Sequence, residues 1–187
     1  MLGEFYGATV PDMMPPELRL LFVGINPSLM AAKTGVHFAR RGNRFWPALH
    51  AAGITEHEIA PYEGLSPEDS AELDERGVGI TNIVPLATAR ADELTPEQIT
   101  AGMARLRTLV DARRPGVVVI LGVTAWRLGT GDRKAAMGWQ DSPFGDTRVY
   151  VAANPSGLNA HYQIPDLARQ YAEAAEAAGL ELYGGSL

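Results

Sequence analysis

The chain has 187 residues, of which 46% are hydrophobic and 20% charged, and a formal net charge of −6. This composition is typical of one globular domain, and the absence of cysteine excludes disulfides, thiolate zinc sites and cysteine-ligated iron–sulfur clusters. The negative net charge argues against broad nucleic-acid binding unless basic residues cluster locally.

Short apolar runs alternate with helical patterns along the chain. The apolar runs lack apolar–polar alternation, as expected for strands buried on both faces, and predict strands at 18–25, 78–84, 117–121 and 149–153. Helical spacing predicts helices at 43–52, after Ser66-Pro67, at 96–114 with Thr95 as N-cap, and at 165–178. We interpret 129–144 as a surface excursion. The alternation predicts a three-layer α/β/α fold around a central, mainly parallel sheet of four to five strands.

Two of the predicted strands are followed by the same tripeptide. Asn-Pro-Ser occurs at 26–28 after the first strand and at 154–156 after the fourth. Because ligand sites in such folds lie at the carboxyl ends of the strands, we expect the two loops to face each other at one edge of the sheet. The alternative interpretation is a tight turn at each strand end, since Asn and Pro both favour turns.

The connection after the first strand is basic although the protein is acidic. It carries a phenylalanine and five basic or titratable side chains: Lys33, His37, Phe38, Arg40, Arg41 and Arg44. A basic loop favours phosphate contacts, and Phe38 offers a face on which a base can stack. Leu158, in the loop after the fourth strand, has no obvious packing partner and resembles a wedge for a base stack. Together these features suit extraction of one base from a duplex. The alternative interpretations are a solvated surface for the basic cluster and a core aromatic for Phe38.

Three segments carry a resemblance to a known family. They are GINPSLMAAKTGVHFARRGNRFW at 24–46, GITNIV at 79–84 and NPSGL at 154–158. The chain resembles the mismatch-specific uracil/thymine-DNA glycosylases, a branch of the uracil-DNA glycosylase superfamily, from about Leu18 to Tyr171. The first segment is long and specific, and the last is persuasive through its position after a strand.

The resemblance implies a role for each site residue. Asn26 would position the water that attacks C1′, Phe38 would stack on the uracil, and backbone groups of Ile25 and Ser28 would bind the base. By the same resemblance Ser156 would bind a phosphate, Leu158 would be the wedge, and Gly157 and Asn159 would contact the opposite guanine. Besides these we expect Asn154 and, from the basic loop, Arg40 and Arg44 to face the DNA. A neutral asparagine is a poor general base, so we expect the rate to depend on stabilisation of the departing uracil anion.

The motifs depart from the family pattern at two positions and resemble one subgroup at a third. Ser28 stands where the family usually has glycine, which narrows the pocket floor, and Asn159-Ala160-His161 lacks the basic residue that often closes the last motif. Met30-Ala31-Ala32 resembles the thymine-processing members. By that likeness Ala31 lies beside C5 of the base and leaves room for a methyl group, which predicts activity on G·T as well as G·U.

The carboxylates after the second strand, Asp92 and Glu93, are candidates for an additional base. We keep Asp92 as a hypothesis, and its alternative interpretation is a loop cap before Thr95. The four histidines are scattered, so we expect neither a metal nor a cofactor.

We therefore expect one domain over 1–187 with its core at about 18–180. We expect a monofunctional DNA N-glycosylase that acts as a monomer on G·U and G·T mismatches in duplex DNA and leaves an abasic site. The resemblance assigns no catalytic role to Lys33 or Lys134, so lyase activity is not expected. The N-terminus lacks a secretory signal and no run is apolar enough for a membrane span, which predicts a cytoplasmic, nucleoid-associated protein. The alternatives are a non-catalytic nucleic-acid binder on the same fold and a hydrolase of free nucleosides.

Overall fold

A computed structural model describes residues 1–184 of the chain. Its five strands are β1 (Leu20–Gly24), β2 (Val78–Asn82), β3 (Val117–Leu121), β4 (Gly138–Gln140) and β5 (Arg148–Ala152). They form one sheet in the order β2-β1-β3-β5-β4, in which β4 alone runs antiparallel to its neighbour. The predicted α/β class with a mainly parallel sheet of four to five strands is confirmed.

Helices cover both faces of the sheet. They are α1 (Leu29–Thr34), α2 (Phe45–Ala51), α3 (Pro67–Arg76), α4 (Pro96–Arg113), α5 (Val123–Thr130) and α6 (Ile164–Ala177). Side chains of β1 alternate between the two faces. Phe22 packs in the core with α2 and α6, whereas Val23 packs in the core with α4 and α5. The arrangement is the predicted three-layer α/β/α fold.

The longest helix begins and ends where its sequence predicts. Thr95 accepts a hydrogen bond from the Gln98 backbone N–H, and the Gln98 side chain accepts one from the Thr95 backbone N–H. Pro96 follows at the first helical position, where its missing N–H is not needed. The helix ends at Arg113, after which Arg114 adopts a left-handed conformation with φ 48°.

Two short elements were not predicted: α5, which begins just before the segment interpreted as a surface excursion, and β4, which lies inside it. Helix α5 occupies most of the loop expected after β3, and strand β4 pairs with β5 at the edge of the sheet. Three residues cannot show an alternating pattern, and β4 exists because β5 offers it an open edge. No helix within residues 1–184 has both the length and the apolar character required to cross a membrane.

Residues 7–13, here called the N-terminal strap, run along the outer edge of β2 and the loop after it. Gly7 N–H donates to Ala87 O at 2.8 Å, and Met13 exchanges two backbone hydrogen bonds with Ile80 at 2.8 and 2.9 Å. The strap thus covers the free edge of β2 and supports the loop at 83–88. The sequence carried no signal that predicted this contact.

Candidate active site

A cavity of about 170 Å³ lies where β1, β2, β3 and β5 end. Both Asn-Pro-Ser loops line it, which confirms that they face each other. The volume is below the roughly 300–1,000 Å³ typical of drug-sized ligands, so the cavity suits one small ring.

The Asn26 side chain is oriented by the loop that follows β2. Its Nδ2 group donates to Thr88 Oγ1 at 2.7 Å, to Leu86 O at 3.0 Å and to Pro27 O at 3.3 Å. Carbonyl oxygens only accept, so the amide nitrogen must face them and Oδ1 must point elsewhere. Asn26 lines the cavity and no donor within residues 1–184 reaches its Oδ1. This oxygen is therefore free to accept a hydrogen bond from a water molecule.

The floor of the cavity contains two buried polar side chains. His37 and Asn82 are 1% and 2% exposed. His37 Nε2 donates to Pro11 O at 2.9 Å, which leaves Nδ1 to accept from Asn82 Nδ2 at 2.8 Å. Burial lowers the pKa of His37 and favours its neutral ring.

The remaining atom of this pair, Asn82 Oδ1, is buried and accepts no hydrogen bond from the described part of the chain. It lies against the Gly24 backbone, beside the Phe38 ring, and all three residues line the cavity. A buried carbonyl oxygen without a donor is unfavourable. The cavity floor is thus built to accept a hydrogen bond from a ligand.

Phe38 is held in a strained conformation next to this acceptor. Its φ is 59°, a left-handed value that a bulky residue rarely adopts and that costs on the order of 1–3 kcal/mol. The preceding carbonyl, His37 O, accepts from Trp46 Nε1 at 2.9 Å, and the Phe38 ring lies 4.3 Å from the Phe45 ring. Such strain persists where the surroundings impose it, commonly at functional sites.

The loop at 154–159 forms the opposite wall and is held by its own side chains. Ser156 N–H donates to Asn154 Oδ1 at 2.9 Å, Leu158 N–H to Ser156 Oγ at 3.3 Å, and Asn159 Nδ2 to Asn154 O at 3.1 Å. Leu158 itself is 83% exposed. Gly157 approaches the basic loop so closely that a Cβ there would lie 2.5 Å from the Gly42 carbonyl oxygen. The loop is thus held by internal hydrogen bonds around one exposed apolar side chain.

The Arg44 side chain hydrogen-bonds to the backbone of this loop. Its Nη1 group donates to the carbonyls of Asn159 at 2.7 Å, Tyr162 at 3.1 Å and Ser156 at 3.2 Å, and its Nη2 to that of Gly157 at 3.5 Å. We predicted Arg44 on the DNA-facing surface, but its guanidinium donors are directed at the protein backbone. Arg40 is exposed and lines the cavity, and its contact with DNA stays a prediction.

Because Arg44 and Arg40 have different surroundings, we expect their substitutions to affect stability and duplex binding differently. We expect Arg44→Gln to lower the free energy of unfolding by about 1–3 kcal/mol, because carbonyls of the loop lose a charged donor, without changing the salt dependence of duplex binding. The matched control, Arg40→Gln, should keep its stability but flatten the plot of log affinity against log salt by about 0.9, as one lost phosphate contact does. Denaturant unfolding and fluorescence anisotropy measure the two effects. A flatter salt plot with unchanged stability in Arg44→Gln would show that Arg44 contacts phosphate.

Two of the predicted site residues, Asp92 and Ala31, do not line the cavity. Asp92 forms a bidentate ion pair with Arg90 and lines a neighbouring groove, not this cavity. Ala31 is 1% exposed inside α1 and does not line the cavity. Ser28 and Ile25 do line it, and Ser28 Oγ accepts from Ala31 N–H at 3.1 Å as the N-cap of α1.

Three residues of the site were not assigned a role from the sequence. His37 was counted only among the basic residues, Asn82 only as part of the GITNIV segment, and Thr88 not at all. A polar residue at the end of a buried strand was the available signal for Asn82, because strand ends in α/β folds carry sites. Within residues 1–184 no three His, Cys, Asp or Glu side chains are grouped to hold a metal ion.

The comparison with known families agrees with this geometry. A family model described as the uracil DNA glycosylase superfamily matches residues 11–177, which extend from the strap to the end of α6. The match confirms the resemblance at the level of the superfamily and supports the class of DNA N-glycosylases, hydrolases that act on DNA. The chain belongs to the uracil DNA glycosylase superfamily.

Proposed function

We propose that this protein flips uracil, and also thymine, out of a mismatch with guanine in duplex DNA and hydrolyses its N-glycosidic bond. The observation that carries the proposal is the pair of unpaired amide oxygens in one small cavity. Asn82 Oδ1 is available to a base and Asn26 Oδ1 is available to a water. The product is an abasic site and a free base.

The base-binding step follows from the polarity of the floor. Uracil and thymine carry a hydrogen on N3, which can donate to Asn82 Oδ1. The Phe38 ring lies beside this oxygen and offers a face for stacking. Phe38 is fixed by Phe45 and by the bond to His37 O, so the ring needs little reorganisation when the base enters.

The chemical step depends on the leaving group. Asn26 Oδ1 orients a water toward C1′, but a neutral amide scarcely deprotonates it. Bond breaking is therefore driven by stabilising negative charge on the departing base, for which backbone N–H groups near Ile25 and Ser28 and the positive charge of Arg40 are the candidate groups. Asp92 is engaged by Arg90, which makes it a weaker candidate for an assisting base than the sequence alone indicated.

The mismatch preference is supported by the loop at 154–159. Exposed Leu158 can occupy the space that the flipped nucleotide leaves in the stack. Gly157 and Asn159 flank it and are the residues proposed to contact the remaining guanine. A G·U or G·T pair is easier to open than a matched pair, which adds to the selectivity. The support for thymine is only the likeness of the Met30-Ala31-Ala32 segment to the thymine-processing members, since Ala31 itself is buried in α1 and does not line the cavity.

A panel of labelled oligonucleotides tests the proposal. We expect excision from G·U, slower excision from G·T, and less from A·U and from single-stranded uracil, all measured as alkali-labile abasic sites under single-turnover conditions. Equal rates on G·U and A·U would exclude a mismatch preference, and intact G·T under conditions that consume G·U would exclude thymine. Duplex binding without release of any base would favour the non-catalytic binder.

A further inference from the structure

The N-terminal strap is connected to the cavity floor by a directional chain of hydrogen bonds. It begins at the carbonyl of Pro11, which only accepts, so His37 Nε2 must carry the imidazole hydrogen. His37 Nδ1 is then an acceptor, and Asn82 must direct its NH₂ group toward it. Its Oδ1 is consequently turned to the cavity, where it is buried without a donor from residues 1–184.

We infer that the strap is the specificity-determining element that fixes the polarity of Asn82, so that the site accepts pyrimidines with a hydrogen on N3 and rejects cytosine. The inference deepens the proposed function and rests on it. Pro11 and Asp12 do not touch the base in this scheme; they position His37, which in turn orients Asn82.

An isolated asparagine could not make this distinction. The amide can rotate by 180° about its last bond, and it would then present a donor to the cavity at nearly the same shape. Cytosine N3 accepts a hydrogen bond, so the rotated amide would suit cytosine, whereas the observed orientation sets two acceptors against each other. A site whose buried polar group is left unpaired by the wrong ligand discriminates strongly.

The strap is anchored by a polar cluster of Asp12, Thr81 and Arg105. Asp12 Oδ1 accepts from Thr81 Oγ1 at 2.6 Å, and Asp12 Oδ2 accepts from Arg105 Nη1 at 3.3 Å. Arg105 also donates to Thr81 Oγ1 at 3.2 Å and to the carbonyl of Asn82. Asp12 is adjacent to Pro11, and Thr81 is adjacent to Asn82. The cluster therefore fixes both ends of the chain of hydrogen bonds relative to each other.

Protonation of His37 would reverse the direction of the hydrogen bond between His37 and Asn82. The charged groups that act on its ring are Asp12 on the strap, which favours the imidazolium, and Arg105 on α4, which disfavours it. Burial is the largest influence and lowers the pKa of His37, so the neutral ring persists at neutral pH. A protonated ring would donate from Nδ1, and Asn82 would have to rotate to accept.

The first test is the tautomer of His37 in the wild-type protein. Two-bond ¹H–¹⁵N correlation spectra of ¹⁵N-labelled protein at neutral pH should show His37 with its hydrogen on Nε2, and His37→Gln identifies the signal. A hydrogen on Nδ1 would overturn the inference. This result does not depend on catalysis, so it is separate from the proposed function, which fails if the wild-type protein releases no uracil.

The second test removes the Asp12 side chain that anchors the strap. We expect Asp12→Ala to reduce the ratio of 5-fluorouracil to 5-fluorocytosine excision, each opposite guanine, by about tenfold or more, and to mix the two His37 tautomers. Both probes carry the same C5 substituent, so the ratio isolates the edge that Asn82 contacts. Asp12→Asn keeps an acceptor for Thr81 and should restore most of the ratio. A loss of overall rate in Asp12→Ala with an unchanged ratio and tautomer would show that Asp12 supports only the fold.

Discussion

Replacing Asn26 with alanine is expected to slow excision of uracil from a G·U duplex by about 10²-fold or more, as loss of positioning at a reacting centre does. Duplex binding should persist. The Asn26 amide nitrogen faces acceptors of Leu86, Thr88 and Pro27 on one side only. Removing the side chain deletes the proposed water acceptor, whereas the hydrogen bonds of the loop at 154–159 do not involve Asn26. Single-turnover excision and fluorescence anisotropy separate the two effects.

The matched control lies in the second Asn-Pro-Ser segment. Asn154→Ala removes the acceptor for Ser156 N–H and loosens the loop, so it should weaken duplex binding more than it slows the step at saturating enzyme. Thr88→Val removes the closest acceptor for Asn26 Nδ2 and should slow excision less than Asn26→Ala does. If Asn26→Ala loses binding and keeps its single-turnover rate, Asn26 is a DNA contact and the proposed water position is wrong.

The fold was largely predictable because its elements are decided locally. Strand β3 occupies its predicted residues, 117–121, since a run of five buried apolar residues can satisfy both faces of a central strand. Strand β4 was not predictable in this way. Its three residues are a strand only because β5 is their neighbour, and that pairing is a tertiary contact.

The same contrast between local signals and tertiary contacts holds for the residues of the site. Asn26 was predictable because its signal, an Asn-Pro at the end of a buried strand, lies within a few residues. The role proposed for Asn82 depends on its hydrogen bond to His37, 45 residues away, and the orientation of His37 depends on Pro11, 26 residues away. Arg44 looks like its neighbours Arg40 and Arg41 in the sequence, and only the folded chain directs it at a loop more than 110 residues away.

Gly24→Ala is the second change with a large expected effect, because it fills the space in front of Asn82 Oδ1, the proposed acceptor for the base. A Cβ at Gly24 would lie closer than 3.0 Å to Asn82 Oδ1 and 3.0 Å from Phe38 Cζ. Neither neighbour can move freely, since Asn82 is bonded to His37 and the Phe38 ring packs 4.3 Å from Phe45. We expect kcat/KM on G·U to fall by about 10²-fold or more, as small misplacements at a reacting centre do.

The control for this change is the same substitution where space allows it. A Cβ at Gly116, just before β3 at the other end of the sheet, would lie 3.5 Å from Arg19 O and 3.7 Å from Ala178 Cα, which is ordinary contact. Gly116→Ala should therefore excise uracil at the wild-type rate. Gly24→Ala should remain folded but less stable by about 1–3 kcal/mol, which thermal unfolding measures. If the folded Gly24→Ala protein excises uracil normally, the base does not bind against Asn82, because the added methyl group would occupy that position.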